Sequence, residues 1–216
     1  MGLSSYLSIL IFFRNVAFIE LLGSCGRKIS KSICLPNDYS KYTLPDEKSP
    51  NKIGVSLDIS ELLEINEVDQ SVKLALFFNL DWTENRLMVG SKTETSTTLS
   101  PVRESLLEAL WVPNVFIYNL KAFRNLETIS ALKGLWLSTN KDVLTSQSVH
   151  ISFYCPMNFE MFPFDKQHCE FKLGSYSYND NKLLFTTKSF GFSQLESNQI
   201  PLPFEISKDS VKIFYL

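Results

Sequence analysis

Cys155-Pro-Met-Asn-Phe-Glu-Met-Phe-Pro-Phe-Asp-Lys-Gln-His-Cys169 decides how the rest of this chain is read. Two cysteines enclose thirteen residues, among them three Phe, two Met and the turn Phe162-Pro163-Phe164-Asp165. An oxidised pair would close a loop of about fifteen residues, worth roughly 3 kcal/mol in the loop-entropy model. A loop this apolar is not an ordinary solvent-facing connection. It either packs back on its own domain or offers its tip to a neighbour. The plainest reading of the two cysteines alone is a structural disulfide in a secreted β-domain.

The alternation upstream fits a β-domain. In residues 52–59, Ile53, Val55, Leu57 and Ile59 share one face of a half-buried strand. Val72, Leu74, Leu76, Phe78, Leu80 and Trp82 share the core face of a longer one, and Lys73, Ala75, Phe77, Asn79 and Asp81 share the other. The charged segment 64–70, with Glu67 and Val68, is a turn between them. Residues 90–105 are a Ser/Thr-rich loop. Residues 129–137 and 143–155 are further strands, joined by a turn at 138–142. Residues 170–173 and 183–188 are strands flanking the loop 174–181. Pro201 and Pro203 bracket an edge segment ending at Ile206. Residues 26–51, with Pro36, Pro45 and Pro50, read as a short N-terminal helix or coil. The expected fold is all-β, an antiparallel β-sandwich preceded by that helix.

A chain of 216 residues with 44% hydrophobic content can bury a sizeable core. A net charge of -2 with scattered Lys and Arg gives no electrostatic case for a nucleic-acid partner. There is no Gly-x-Ser-x-Gly, no phosphate-cradling glycine loop and no carboxylate pair flanked by a base, so no catalytic residues are expected. His150 and His168 have no metal-ligand spacing and no Cys-x-x-Cys occurs, so neither metal nor cofactor is expected. Residues 1–25 resemble an imperfect secretory signal. An apolar run at 7–13 is followed by Arg14, Asn15 and Glu20, with Gly23 and Cys25 as small residues for cleavage. Cleavage after Cys25 would leave Cys34 unpaired; if both remain, they could pair with each other. Beyond residue 25 no apolar run reaches eighteen residues, so the chain as given is expected not to span a membrane.

Phe77, Tyr118, Tyr176 and Tyr178 lie on strand faces or loops where core packing does not demand them. Such rings suit a binding site, since each supplies a π-face and tyrosine adds a hydroxyl.

The spacing Cys155-x-Met-x-Phe-x-x-Phe-Pro-x-Asp-x-x-x-Cys169 resembles the loop that names the Cys-loop, pentameric ligand-gated ion channels. Three further stretches resemble that family's motifs in the family's order. They are 76–82 with Arg86-Leu87, Trp111-x-Pro-x-x-x-x-x-Asn119, and Leu173-Gly-Ser-Tyr-Ser-Tyr178. The resemblance implies the extracellular ligand-binding β-sandwich of a channel subunit, over residues 52–216. It implies assembly with other subunits in a pentamer, with ligand sites between subunits.

By the same resemblance the disulfide joins Cys155 to Cys169. Tyr118, Tyr176 and Tyr178 belong to the principal side of the site, and Phe77 and Asn79 to the complementary side. Glu67, Val68, Phe162, Pro163, Phe164 and Asp165 belong to the surface that meets the membrane domain during gating. Two positions depart from the pattern. Asn114 stands where the family usually has Asp. Asn79 stands where members that bind amino-acid transmitters typically have Arg, and a neutral amide cannot replace a guanidinium fork on a carboxylate. The expected small-molecule ligand is therefore an amine, a proton or an unknown one, rather than glycine, GABA or glutamate held in the usual way. The Gly-Ser-Tyr-x-Tyr loop leans toward the anion-channel branch, including its invertebrate members. The chain reads as truncated before the third binding loop, the final strand and the transmembrane helices. Its full-length form would sit on the extracellular side of the plasma membrane, whereas the chain alone would be secreted. The alternative is a soluble secreted ligand-binding protein of the same fold.

Overall fold

Two long antiparallel strands carry the architecture, and the period-2 alternation of their side chains explains why. The computed structural model describes residues 25–30, 33–90, 99–126, 133–162, 164–192 and 212–213. In chain order the strands are β1 (Cys25–Lys28), β2 (Ile33–Pro36), β3 (Asn51–Asn66), β4 (Ser71–Thr83), β5 (Met88–Val89), β6 (Ser100–Val102), β7 (Phe116–Ile117), β8 (Leu120–Asn125), β9 (Lys133–Leu137), β10 (Asp142–Tyr154), β11 (Lys172–Gly174), β12 (Leu183–Phe192) and β13 (Lys212–Ile213). A short 3-10 helix, Glu104–Ala109, precedes β7.

The largest sheet runs β12-β3-β4-β10-β9-β6, with β8 also on the edge of β10. Its pairings are antiparallel except β3–β12, which is parallel. Two smaller sheets, β1-β2-β5 and β13-β11-β7, complete the domain. From β4, Val72, Leu74, Leu76, Leu80 and Trp82 are buried and Phe78 is half-buried, while Phe77 is 42% exposed on the opposite face. Ile53, Val55, Leu57 and Ile59 of β3 and Val143, Val149, Ile151 and Phe153 of β10 join the same core. Trp82 meets Trp111 edge-on, ring centroids 6.1 Å apart. The aromatic pair thereby ties the long sheet to the segment leading into β7.

One expectation is corrected. Among the described residues of 26–51 there is no helix: β1 and β2 pair antiparallel, and turns follow to β3. Ile33, Cys34 and Leu35 are buried consecutively because β2 lies between β1 and β5 and packs on the core. That continuous apolar triplet has neither helical nor alternating period. Cys25 and Cys34 are free thiols. Burial, with the hydrogen bond to Cys25 adding to it, pushes the Cys34 thiol up to about 11. Residues 1–24 of the expected signal 1–25, the edge segment 201–206 and Pro163 lie outside the described residues.

A buried ion pair locks the corner after β4. Glu84 is fully buried, and Arg86 grips both its oxygens, Nε on Oε1 and Nη2 on Oε2, each at 2.7 Å. Tyr39 donates its hydroxyl to Glu84 at 2.8 Å and accepts the Trp111 backbone N–H at 2.8 Å. Burial pushes the Tyr39 phenol above its ordinary range; the Trp111 bond opposes this and the Glu84 charge adds to it.

Candidate functional site

The chemistry-bearing residues form three groups. The first is aromatic. Backbone bonds place it: Leu173 and Gly174 of β11 pair with Ile117 and Phe116 of β7, and Tyr118 N–H donates to the Lys172 carbonyl at 2.9 Å. The segment before β7 and the loop after β11 are thus held side by side. Phe116 stacks edge-on against Tyr118 (5.1 Å) and lies tilted against Tyr176 (5.7 Å). Tyr176 is 72% exposed, and among the described residues the buried Tyr118 hydroxyl has no hydrogen-bond partner. A buried donor left open at the edge of an exposed ring cluster is a place where a ligand could accept a bond. Asn114 bridges the two segments by donating to Ser177 Oγ at 3.2 Å. Tyr178 is separate from the trio: it packs against the core, and its N–H donates to Ser175 Oγ at 3.0 Å. Sequence reasoning missed Phe116, the ring that joins the other two. Its signal was its place between Trp111-x-Pro and Tyr118.

The second group lies on the outer face of the long sheet. Phe77 and Asn79 project from β4, with Asp58 of β3 directly across from Phe77 and Ser56 across from Asn79. Asn79 is already engaged: its Nδ2 donates to Asp58 Oδ2 at 2.7 Å. Ser189 Oγ of β12 donates to Asp58 Oδ1 at 3.4 Å. Next along the face, Asp81 pairs with Lys188. The Asp81 carboxylate lies so close over Gly54 that a Cβ there would sit 2.2 Å from Oδ1. Asp58 was not singled out from the sequence, because its partner is set by strand register, which residue order does not print.

The third group is the disulfide loop and the turn bonded to it. Cys155 and Cys169 are disulfide-bonded, Cα atoms 5.0 Å apart. Between them Met161 and Phe162 are 71% exposed and Phe164 88%. Gln167 braces the loop, accepting the Asn158 N–H at 2.8 Å and donating to the Asn158 carbonyl at 2.7 Å and to Asp165. The β3–β4 turn stands beside it, with Glu67 exposed and Val68 94% exposed. Gln70, held at φ 46°, joins turn to loop. Its carbonyl accepts the Cys155 N–H at 2.8 Å, and its side-chain oxygen accepts the Tyr154 hydroxyl at 2.9 Å.

Asn119 links the first group to the third. Its Nδ2 donates to the carbonyls of Tyr154 (2.9 Å) and Glu170 (2.7 Å), and its Oδ1 accepts the Lys172 N–H at 3.1 Å. One amide next to Tyr118 therefore clasps both strands that enter and leave the disulfide loop. Among the described residues no cluster of three or more His, Cys, Asp or Glu side chains could hold a metal, and no helix is long and apolar enough to cross a membrane.

The molecule is thus a strand-built sandwich with an aromatic cluster on one sheet, a polar-aromatic face on another and a disulfide-closed loop with an exposed apolar tip. Residues 29–213 match the family model described as the neurotransmitter-gated ion-channel ligand binding domain, and the chain belongs to that family. It is 28% identical over 175 residues to the glycine receptor subunit beta of Rattus norvegicus, covering 81% of this chain and 35% of that protein. It is 29% identical over 142 residues to the gamma-aminobutyric acid receptor subunit rho-3 of Rattus norvegicus, covering 65% and 30%. To the rho-2 subunit of Homo sapiens it is 30% identical over 137 residues, covering 63% and 29%. The chain thus spans about a third of the length of the curated relatives it matches. These relatives are receptor subunits, not enzymes.

Proposed function

We propose that this chain is the ligand-binding part of a ligand-gated ion channel subunit, and that in the full-length pentamer it converts binding of a small extracellular ligand into channel opening. The carrying observation is the exposed apolar tip of the Cys155–Cys169 loop, Met161, Phe162 and Phe164, in a loop whose start is bonded through Gln70 to the turn that exposes Val68. A domain that works alone in water gains nothing from such a patch, whereas one that seats on a membrane domain needs it. This favours the channel subunit over a soluble secreted protein of the same fold. The site lies between subunits in this reading. One subunit contributes Phe116, Tyr118 and Tyr176, and its neighbour contributes Phe77 and Asn79. Tyr178 supports the loop rather than the ligand.

Glycine and gamma-aminobutyric acid, for which the relatives are named, are not carried over. Burying a ligand carboxylate without a cation leaves an uncompensated charge. Asn79 directs one of its two N–H bonds at Asp58, so a ligand carboxylate reaching the other would stand beside a like charge, with only a neutral amide to hold it. Voltage-clamp recording from oocytes expressing the full-length subunit tests the whole reading. Ligand-evoked current is expected, with glycine, GABA and glutamate inactive at ordinary concentrations. Phe162→Ser with Phe164→Ser is expected to abolish current while surface ligand binding persists. Undiminished current in that double variant would remove the coupling role.

A further inference from the structure

We infer that Asp58, Asn79 and Phe77 together receive the cationic head of an amine ligand, with the Asp58 carboxylate as its counter-ion; this rests on the receptor reading above.

The charge balance of the face points this way. Among the described residues Asp58 accepts from neutral donors, the Asn79 amide at 2.7 Å and the Ser189 hydroxyl at 3.4 Å. Its negative charge is therefore oriented but not neutralised. The neighbouring Asp81 differs, because Lys188 is bonded to it, and that lysine is the nearest cation along β12. Asn79 turns one of its two N–H bonds toward Asp58, and its carbonyl oxygen is an acceptor on the same face. Phe77 stands directly across from Asp58 in the β3–β4 register and is 42% exposed. Directly opposed residues on an antiparallel pair have Cβ atoms about 4.5–5.5 Å apart. An ammonium group resting on the ring thus lies within reach of the carboxylate. A carboxylate, an amide oxygen and a π-face each attract a cation, and none of them attracts an anion. The same position with a guanidinium would have the opposite preference. Here the partner across the strand is itself anionic, so the preference is reversed and not merely lost. Ser146, beside Asn79 on β10, adds a neutral hydroxyl and no cation.

The test uses the full-length subunit in oocytes, with phenethylamine and tetramethylammonium as cations, 3-phenylpropanoate as the matched anion, and GABA and glycine as zwitterions. Surface delivery is followed by biotinylation and oligomeric state by cross-linking. The two amines are expected to open the channel and 3-phenylpropanoate is not. Asp58→Asn is expected to shift the amine half-maximal concentration upward about 10- to 100-fold, the range of one charge-assisted hydrogen bond. Asp38→Asn, on an exposed turn, is expected to shift it less than about twofold. If Asp58→Asn fails to reach the surface, Asn79→Arg tests the same charge by placing a guanidinium beside Asp58, and is expected to abolish the amine response. An unchanged amine response in the surface-expressed variant overturns the inference. So does current evoked by 3-phenylpropanoate, GABA or glycine with none from the amines, which leaves the channel-subunit reading standing but, for GABA or glycine, removes their exclusion as ligands. Silence to every probe from surface pentamers also overturns it, and absence of an oligomer overturns both readings.

Discussion

Glu84 and Asp58 are both carboxylates on or beside the β3–β4 pair, and their surroundings give them opposite uses. Glu84 is fully buried, gripped on both oxygens by Arg86 and capped by the Tyr39 hydroxyl. Asp58 is half-buried and held by an amide and a serine. In the first case a guanidinium cancels the charge in a dry corner, and the pair fixes the route of the chain from β2 to Trp111. In the second the geometry is fixed but the charge is left to act outward. A buried carboxylate must be neutralised where it sits, whereas one at a solvent boundary can keep its field for a ligand.

The sharpest way to break this comparison is to remove the donors. Arg86→Ala strands Glu84 without a cation, and loss of one partner of a buried pair costs about 3–5 kcal/mol. Asn79→Ala removes one neutral bond at a wet face and is expected to cost about 1 kcal/mol or less. Urea unfolding of both variants reads the difference. Equal losses would mean that Asp58 is as structural as Glu84, and the ligand role would lose its basis.

The disulfide loop supplies the next two contrasts. Replacing Cys155 and Cys169 together by Ala opens the loop and is expected to lower stability by about 3 kcal/mol. Asn119→Ala leaves the disulfide intact but removes three bonds to the loop's flanking strands, and is expected to lower stability by about 1–3 kcal/mol. The two should separate in function. If Asn119 connects the aromatic cluster to the loop, its loss reduces maximal current more than ligand affinity. A pure affinity change would place Asn119 in the binding site instead.

How much of this was legible in the sequence depended on whether burial was one-sided. β3, β4 and β10 announce themselves because one face is core and the other is wet, so Phe77 and Trp82 fall on opposite sides as the alternation requires. β8, Leu120–Asn125, gives no such signal: every residue in it is exposed, and it is a strand only because β10 offers it an edge. β2 hides for the reverse reason, with three consecutive buried residues where a helix or coil was expected. The four motifs and the disulfide were readable as local spacing. The Asn79–Asp58 bond was not, since twenty-one positions separate the two residues and only register brings them together.

The smallest expected effect on stability lies at the neighbouring pair, and it probes the same contrast most finely. Asp81 and Lys188 form a surface ion pair with 27% and 57% of their side chains exposed. Exposed pairs contribute about 0–1 kcal/mol, less at high salt. Lys188→Met is therefore expected to change unfolding free energy by under about 1 kcal/mol. Its effect on ligand response runs in the other direction. Without Lys188, Asp81 becomes a second uncompensated carboxylate on the face that carries Asp58, since both lie on the outer side of the β3–β4 pair. Two unit charges a few ångströms apart in water interact by about 1 kcal/mol. A cationic ligand is thus expected to act at concentrations about two- to fivefold lower, and the gain should shrink as ionic strength rises. Dose–response curves for phenethylamine at low and physiological salt measure this. A Lys188→Met receptor with weaker amine sensitivity would show that the lysine positions the ligand rather than repelling it, and the field at Asp58 would no longer explain ligand choice.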